Sequence, residues 1–181
     1  EIQVDAKPAF VNVLPGAFHP TEHTGRAEIE PVAIQLDTGP ICFEEMIHAD
    51  ASDIDITQQD VLISVGRGIQ QEDNMEIAEE LAEVLGGALC ASRPIIDQGW
   101  LPTTRQVGKS GMIVKPRLYL ALGISGAPEH MEGLAGSELT IAVNTDPEAP
   151  IFEAADYGVE MDLLDLAPEL TEALKRKKVA H

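Results

Sequence analysis

Short apolar runs that end in glycine or a small polar residue alternate with helix-like segments over residues 60–178. The runs are DVLISVG (60–66), ALCAS (88–92), RLYLALGIS (117–125), ELTIAVN (138–144) and YGVEM (157–161). Parallel strands buried on both faces are nearly continuous apolar runs. Strands that alternate with helices form a parallel sheet covered by helices on both faces. The pattern therefore predicts an α/β fold with a doubly wound parallel sheet.

Three segments carry the apolar spacing of helices. In the first, Asp73 or Asn74 can provide the N-cap, and Gly86 can provide the left-handed residue that ends the helix. The basic end of the last segment suits the negative pole of a helix dipole. The predicted helices are 72–87, 127–136 and 163–178.

The first 36 residues contain two short apolar strands, 10–14 and 29–36, separated by a polar loop. Two strands alone do not bury a core. We therefore interpret residues 1–36 as the remnant of a preceding α/β domain or as a strand-containing covering arm. Residues 37–57 are interpreted as a linker and 58–181 as one domain. Because the chain begins on Glu1 and not Met, we expect its true N-terminus to be missing.

Charge and cysteine content limit the classes of partner. The 181-residue chain has 31 acidic and 12 basic residues, a net charge of -19. This balance argues against nucleic-acid binding and against an anionic membrane surface. No apolar run approaches the ~18 residues of a membrane helix. Cys42 and Cys90 lack metal or disulfide spacing, which favours reduced thiols in a cytosolic-type protein.

Glycine, serine, arginine and asparagine gather where the predicted strands end. They are Gly66-Arg67-Gly68, Ser92-Arg93, Ser125-Gly126 and Asn144. In open parallel sheets, ligands bind beyond the carboxyl ends of the strands. Arginine binds phosphate with its planar fork and stacks on flat rings. The clustering predicts a ligand site, although each arginine alone could simply offset the acidic excess at the surface.

The stretch QVGKSG (106–111) resembles the end of a phosphate-binding P-loop. A P-loop has a glycine five residues before its Gly-Lys-Ser, and a helix follows it. Thr103 occupies that position, and the following GMIVKPRLYL is rich in β-formers and contains Pro116. The spacing leaves two alternatives open, which are a backbone that approaches a ligand closely and an ordinary surface turn.

Histidine and acidic residues give no catalytic pattern. His130 lies near the start of a predicted helix, where a structural role is the common alternative, and a Ser-His-Asp triad is recognised by geometry only. The acidic residues between 44 and 60 lack the spacing of a calcium loop. We therefore expect no metal site and no catalytic residues.

Taken in order, several stretches resemble the FAD-binding domain of electron transfer flavoprotein alpha subunits. They are VLISVGRGI, GALCASRPIIDQGWLP, RQVGKSGMIVKPRLYLALGISGAPEH and IAVNTDPEAPIFEAADYGVEMDLLDLAPELTEALK. The resemblance covers about residues 58–178. Because such subunits begin with a further α/β domain, it implies that this chain is a fragment or a separately built domain. It implies a heterodimer with a beta subunit, in which FAD carries the redox chemistry and no residue acts on a substrate.

The resemblance also implies which residues contact FAD. Arg67 corresponds to the arginine near the pyrophosphate and adenosine, and Arg93, with Ser92 before it, to the arginine over the isoalloxazine. Ser110 corresponds to the residue that reaches flavin N5, and His130 to the histidine that approaches flavin O2. The implied contacts are Arg67, Ser92, Arg93, Gln106, Val107, Gly108, Lys109, Ser110, Ser125, Gly126, Ala127, Pro128, Glu129, His130, Asn144 (adenosine end), Asp162 and Leu163 (near the adenine).

Two positions depart from the family pattern. Lys109 stands where glutamine is common, and Pro128-Glu129 replaces a common Ile-Gln. A cation beside the ring favours negatively charged reduced flavin, because charges interact strongly in a low dielectric, while Glu129 opposes this effect. The departures bear on the subtype within the family.

The expected function is a redox carrier and not an enzyme with its own substrate. The resemblance implies electrons from acyl-CoA-type dehydrogenases and delivery to a quinone-linked or other acceptor, without membrane insertion. It implies a cytoplasmic location, or the mitochondrial matrix in a eukaryote. Two alternatives stay open: a P-loop-like hydrolase that uses Gly108-Lys109-Ser110, and a fragment that holds no ligand.

Overall fold

The computed structural model describes residues 54–179, together with the single positions 31, 33 and 44. The predicted arm and linker therefore lie almost wholly outside the described residues. Residues from 54 onward belong to one compact unit, Ala49–His181.

Five parallel strands form a single sheet. They are β1 (Val61–Val65), β2 (Ala88–Ala91), β3 (Leu118–Leu122), β4 (Thr140–Asn144) and β5 (Tyr157–Glu160). Their order is β2-β1-β3-β4-β5, and every neighbouring pair is parallel. The predicted doubly wound parallel sheet is confirmed. Four predicted strands lie within two residues of their observed bounds, whereas β3 ends at Leu122, three residues before the end of the predicted run 117–125.

Five helices connect or follow the strands. They are α1 (Met75–Leu85), α2 (Arg93–Asp97), α3 (Pro128–Leu134), α4 (Ile151–Ala154) and α5 (Leu163–Val179). Single 3-10 turns occupy Ile56–Gln58, Arg67–Ile69, Glu72–Asn74 and Thr103–Arg105.

The end of α1 is as predicted, whereas its start is not. Gly86 takes φ 68° and donates its amide back to the helix, as a left-handed C-cap does. Asn74 occupies the N-cap position of α1, but its side chain makes no capping hydrogen bond, and Asp73 lies in the 3-10 turn that precedes the helix. The Asn74 amide donates instead to the Ile69 carbonyl at 2.8 Å.

Each face of the sheet carries its own apolar core, because the strands are apolar on both sides. One core packs α1, α2 and α5 against side chains such as Ile63, Leu89 and Leu120. The other packs α3 and α4 against side chains such as Leu62, Cys90 and Tyr119. Helices on both faces leave the carboxyl edge of the strands open, and the loops gather there.

Candidate functional site

A cleft of about 680 Å³ lies beyond the carboxyl ends of β1, β2, β3 and β4. The strand order reverses between β1 and β3, so the connections that leave these two strands depart in opposite directions. Such a switch point opens a crevice, and ligands of doubly wound folds bind there. The polar residues predicted to gather at the strand ends thus line one cleft in the structure.

The loops after β1 and β3 form the floor of the cleft. The Gly66 amide donates to Leu122 O at 2.9 Å, and the Gly68 amide donates to Gly123 O at 3.0 Å. A Cβ on Gly68 would lie 2.6 Å from the Gly123 Cα. Glycine at this position therefore allows the two backbones to touch and keeps the floor free of side chains.

The QVGKSG loop (106–111) forms one wall, and its backbone is tied on both sides. Val107 N donates to Ala91 O of β2 at 3.0 Å, and Lys109 N donates to Glu129 O of α3 at 2.7 Å. Met112 N donates to Gln106 O at 2.7 Å, and this hydrogen bond closes the loop. The loop is thus a rigid turn clamped between β2 and α3, and a ligand meets a preformed surface.

Gly108 is the position in this loop that requires glycine. Its φ is 138°, a conformation that side-chain-bearing residues rarely adopt. A Cβ there would lie 2.8 Å from the carbonyl oxygen of Glu129. Glycine therefore permits the close approach of the loop to α3.

A side-chain hydrogen bond joins Gln106 and Ser110 on this wall. The Gln106 side-chain amide donates to Ser110 Oγ at 2.8 Å. Because that hydroxyl oxygen already accepts, its hydrogen is available for an acceptor in the cleft. Ser110 is exposed, whereas Gln106 is buried.

Lys109 is paired with an acidic side chain and is not an isolated cation. Its Nζ lies 3.4 Å from Glu132 Oε1, and both side chains are exposed. No helix follows the loop, since the next regular element after Ser110 within residues 54–179 is β3. Both observations depart from the geometry of a P-loop, in which lysine reaches phosphate and a helix starts at once.

His130 lies in the cleft wall and is almost completely buried, at 5% exposure. Its Nδ1 lies 3.1 Å from the Val107 carbonyl oxygen, and its Nε2 lies 2.9 Å from the Tyr119 hydroxyl. Burial lowers its pKa to about 4, which the Val107 hydrogen bond opposes. The ring is therefore neutral near pH 7.

Two arginines, which follow the neighbouring strands β1 and β2, supply positive charge to the cleft. Arg67 follows β1 and is exposed, and no ion pair involves it among the described residues. Arg93 begins α2 and lies 3.4 Å from Asp97, at 69% exposure. An ion pair this exposed is weak, so the guanidinium can leave it for a ligand.

Asn144 anchors the far end of the cleft. Its amide donates to Ile124 O at 2.8 Å, and its side-chain oxygen accepts from Asp146 N at 3.0 Å. The side chain thus ties the end of β4 to the loop after β3. Its remaining amide hydrogen is directed by this fixed geometry and can serve a ligand.

Most of the predicted contact residues are brought together at the cleft. Those in its lining are Arg67, Ser92, Arg93, Gln106, Val107, Gly108, Lys109, Ser110, Ser125, Ala127, Glu129, His130 and Asn144.

Four predicted residues lie outside the lining: Gly126, Pro128, Asp162 and Leu163. Asp162 accepts from Leu164 N at 2.9 Å and so caps α5. Leu163 is buried in the core beneath Gly123. Any contact of these four residues with a ligand remains a prediction.

The lining also contains Gly68, which the sequence placed in the cluster at the strand ends without an implied contact. Lining residues that were not singled out from the sequence are Pro94, Asp97, Gly123, Ile124, Asp146, Ala149 and Pro150. Several adjoin selected residues and carried a usable signal. Asp146 to Pro150 belong to NTDPEAP, and Gly123 is the glycine at the end of β3. Pro94 and Asp97 lie on α2, which is too short to show helical periodicity.

Two absences hold for the described residues. Residues 54–179 contain no group of three or more histidine, cysteine, aspartate or glutamate side chains arranged to hold a metal ion. Among the same residues, none of the helices has the length and apolar character needed to cross a membrane.

Comparison with known proteins agrees with this geometry. Residues 55–135 match the family described as the electron transfer flavoprotein FAD-binding domain. The chain is 44% identical over 152 residues to the electron transfer flavoprotein subunit alpha of Pseudomonas aeruginosa, covering 83% of this chain and 48% of that protein. It is 41% identical over 179 residues to the subunit alpha of Methylophilus methylotrophus, covering 96% and 55%.

A mitochondrial subunit alpha from Oryza sativa is 36% identical over 179 residues, covering 94% of this chain and 50% of its own length. The chain thus spans about half the length of the curated relatives it matches. The glycine-bearing strand ends, the QVGKSG loop and the buried His130 all fall within or directly beside the matched range. By these matches, the chain belongs to the electron transfer flavoprotein alpha subunit family, whose FAD-binding domain it carries.

Proposed function

We propose that this chain binds FAD in the cleft at the β1/β3 switch point and acts as the alpha-type component of an electron carrier. The observation that carries the proposal is the preformed QVGKSG wall, which lines one cleft together with Arg67 and Arg93. Bound FAD supplies the electron chemistry, and the chain binds, orients and shields it.

The residues present fit FAD in shape and chemistry. A diphosphate needs positive charge and room for its oxygens. Arg67 offers the charge at the floor, and the glycines after β1 leave the floor free of side chains there. A flat ring needs a smooth wall, and the loop from Val107 to Ser110 presents backbone with few side chains. Asn144, at the far end, suits the polar adenosine.

The isoalloxazine is proposed to lie against the QVGKSG loop. Ser110 keeps a free hydroxyl hydrogen because Gln106 occupies its oxygen, so it can donate to a ring nitrogen such as N5. Arg93 can stack on the ring and stabilise negative charge on reduced FAD. Since Lys109 pairs with Glu132 and is exposed, its extra charge at the ring is reduced.

The proposal includes a partner and a reaction setting. The subunit-alpha names of the relatives support a heterodimer with a beta-type subunit. Dehydrogenases of the acyl-CoA type are proposed as electron donors, and a quinone-linked or other protein as acceptor. The proposed location is the cytoplasm, or the mitochondrial matrix in a eukaryote, as the name of the rice relative suggests.

FAD uptake tests the proposal directly. The full chain, co-expressed with a beta-type subunit, is expected to purify with a flavin absorbance spectrum or to acquire one when FAD is added. A complex that stays colourless with excess FAD refutes the assignment.

Arg93→Ala tests the placement of the ring. Loss of a charge-assisted contact is expected to weaken FAD binding about tenfold or more and to lower the midpoint potential. Arg117→Ala is the matched control, because Arg117 precedes β3 at the opposite edge of the sheet and lies outside the cleft lining. Equal effects of both variants contradict the proposed contact.

The P-loop alternative makes a separate prediction. It requires magnesium-dependent ATP hydrolysis that Lys109→Ala abolishes. The Lys109–Glu132 ion pair and the missing helix after the loop disfavour it, and we expect no such turnover.

A further inference from the structure

A chain of buried polar groups runs from the cleft wall into the sheet. It begins at the Val107 carbonyl, passes through the His130 ring and reaches the hydroxyl of Tyr119. Tyr119 is fully buried in the middle of the sheet and is not part of the cleft lining. The Nε2 edge of His130 therefore faces the protein interior and not the ligand space.

The partners of His130 determine where its protons lie. A carbonyl oxygen only accepts, so the nitrogen that contacts Val107 must carry the hydrogen. In the neutral ring the other nitrogen has a lone pair, and the Tyr119 hydroxyl must donate to it. The neutral ring consequently has both nitrogens engaged by protein and offers no N–H to a ligand.

Ser64 stands beside this pair and lacks a partner. Its hydroxyl is fully buried in β1 and makes no hydrogen bond among the described residues. Ser64 of β1 lies opposite Cys90 of β2 and on the same face of the sheet as Tyr119 of β3, because Leu62, two residues before Ser64, is the register partner of Tyr119. Burial and then Cys90 raise the pKa of Tyr119 well above its usual value, and the Ser64 hydroxyl opposes this shift. An orphaned buried hydroxyl is costly unless another state of the site uses it.

We propose that Tyr119 is a positioning residue for His130: its hydroxyl fixes the ring with Nε2 directed into the sheet, and Ser64 is the alternative acceptor that lets the same pair hold a protonated ring. In that state Nε2–H donates to the Tyr119 oxygen, and the Tyr119 hydrogen turns to Ser64. The proton comes from water, and no other bond changes.

The consequence concerns the kind of contact His130 makes with FAD, and in this respect it rests on the proposed function. A neutral His130 touches the ligand through carbon atoms alone. A protonated His130 acts on FAD through its positive charge. Negative charge in the cleft favours this protonated form. In the sheet, the titratable groups beside His130 are Tyr119, which contacts it, and Cys90, which adjoins Tyr119. The charged groups that line the cleft are Arg67, Arg93, Asp97, Lys109, Glu129 and Asp146.

Nitrogen-15 NMR of the histidine rings tests the hydrogen bond in the full chain without FAD. At pH 7 we expect His130 to have a protonated Nδ1 and a hydrogen-bonded imine Nε2. In Tyr119→Phe, which removes only the hydroxyl, the Nε2 resonance should move downfield to that of an unbonded imine nitrogen. An unchanged resonance overturns the proposal. A protonated Nε2 in the unmodified chain overturns it as well, without any variant that must fold.

Ser64→Ala is the matched control, since it also deletes one buried hydroxyl on the same face of the sheet. It should leave the neutral-ring Nε2 resonance in place, because Ser64 takes part only when the ring is protonated. A displacement as large as that in Tyr119→Phe overturns the proposal, since it would reflect general packing.

A double-mutant cycle with FAD bound tests the link to the cofactor. Tyr119→Phe should shift the midpoint potential of bound FAD, and the shift should vanish in a His130→Asn background, where Tyr119 has no ring to position. Equal shifts in both backgrounds overturn the proposal. A complex that takes up no FAD while its NMR spectra behave as expected refutes the proposed function, whereas the positioning of His130 by Tyr119 is confirmed.

Discussion

Acidification from pH 7 to pH 5 should weaken the folded state through one buried side chain, His130. Burial lowers its pKa from 6.5 to about 4 in the folded chain. As the pH falls, the unfolded chain therefore binds a proton on this residue before the folded chain does. The free energy of unfolding decreases between these two pKa values, and the stabilising contribution present at neutral pH is lost.

The size of this effect follows from the two pKa values. Near pH 7, His130 is mostly neutral in both the folded and the unfolded chain, so its protonation changes the free energy of unfolding very little. At pH 5 the unfolded state is nearly all protonated and the folded state nearly all neutral. The expected loss in unfolding free energy is about 2 kcal/mol between pH 7 and pH 5.

Urea unfolding of the FAD-free chain at several pH values measures the effect, because bound ligand would add its own stabilisation. His130→Asn is the reference, since its side-chain amide can still donate to the Val107 carbonyl and it does not titrate. The carboxylates and the other histidines contribute equally to both chains, so the difference between the two pH profiles isolates His130. Parallel profiles from pH 7 to pH 5 would refute the reasoning.

Two other predictions concern stability and reactivity. Gly108→Ala should lower the free energy of unfolding by about 3 kcal/mol or more, since its φ of 138° excludes a side chain and the new Cβ meets Glu129 O. Gly99→Ala, at φ 79° with open space around the new Cβ, should lower the free energy of unfolding by only about 1 kcal/mol. Thermal unfolding of both variants measures the two losses, and equal losses contradict the steric argument. Cys90 is fully buried, and burial raises its pKa to about 12, so iodoacetamide should label it in a Cys42→Ser chain only at the rate of unfolding. Rapid labelling of the folded chain contradicts this expectation.

The strands were predictable because parallel strands buried on both faces leave a simple record, an apolar run that ends in glycine or a small polar residue. β1 and β3 illustrate this, since each run ends where the next loop must touch its neighbour. The short helices α2 and α4 were missed for the opposite reason. Five and four residues are too few to show a 3.6-residue period, and only packing against the sheet holds such segments in helical form.

The candidate site was predictable where unusual residues follow strands, and unpredictable where its support is ordinary. Arg67, Arg93 and Ser110 stood out because glycines flank them or because they interrupt an acidic chain. Tyr119 and Ser64 gave no signal, since a tyrosine and a serine within buried strands look like any core residue. Their importance depends on which side chain lies opposite them in space.

The sequence by itself determined the fold class, the family and most residues of the cleft wall, because these depend on local patterns and on residue types at strand ends. The tertiary structure decided which of those residues face one another. It pairs Lys109 with Glu132, buries His130 between Val107 and Tyr119, and leaves the Ser64 hydroxyl without a hydrogen-bond partner within residues 54–179. Such pairings join positions far apart in the chain, and only the packing of loop, helix and sheet sets the distances between them.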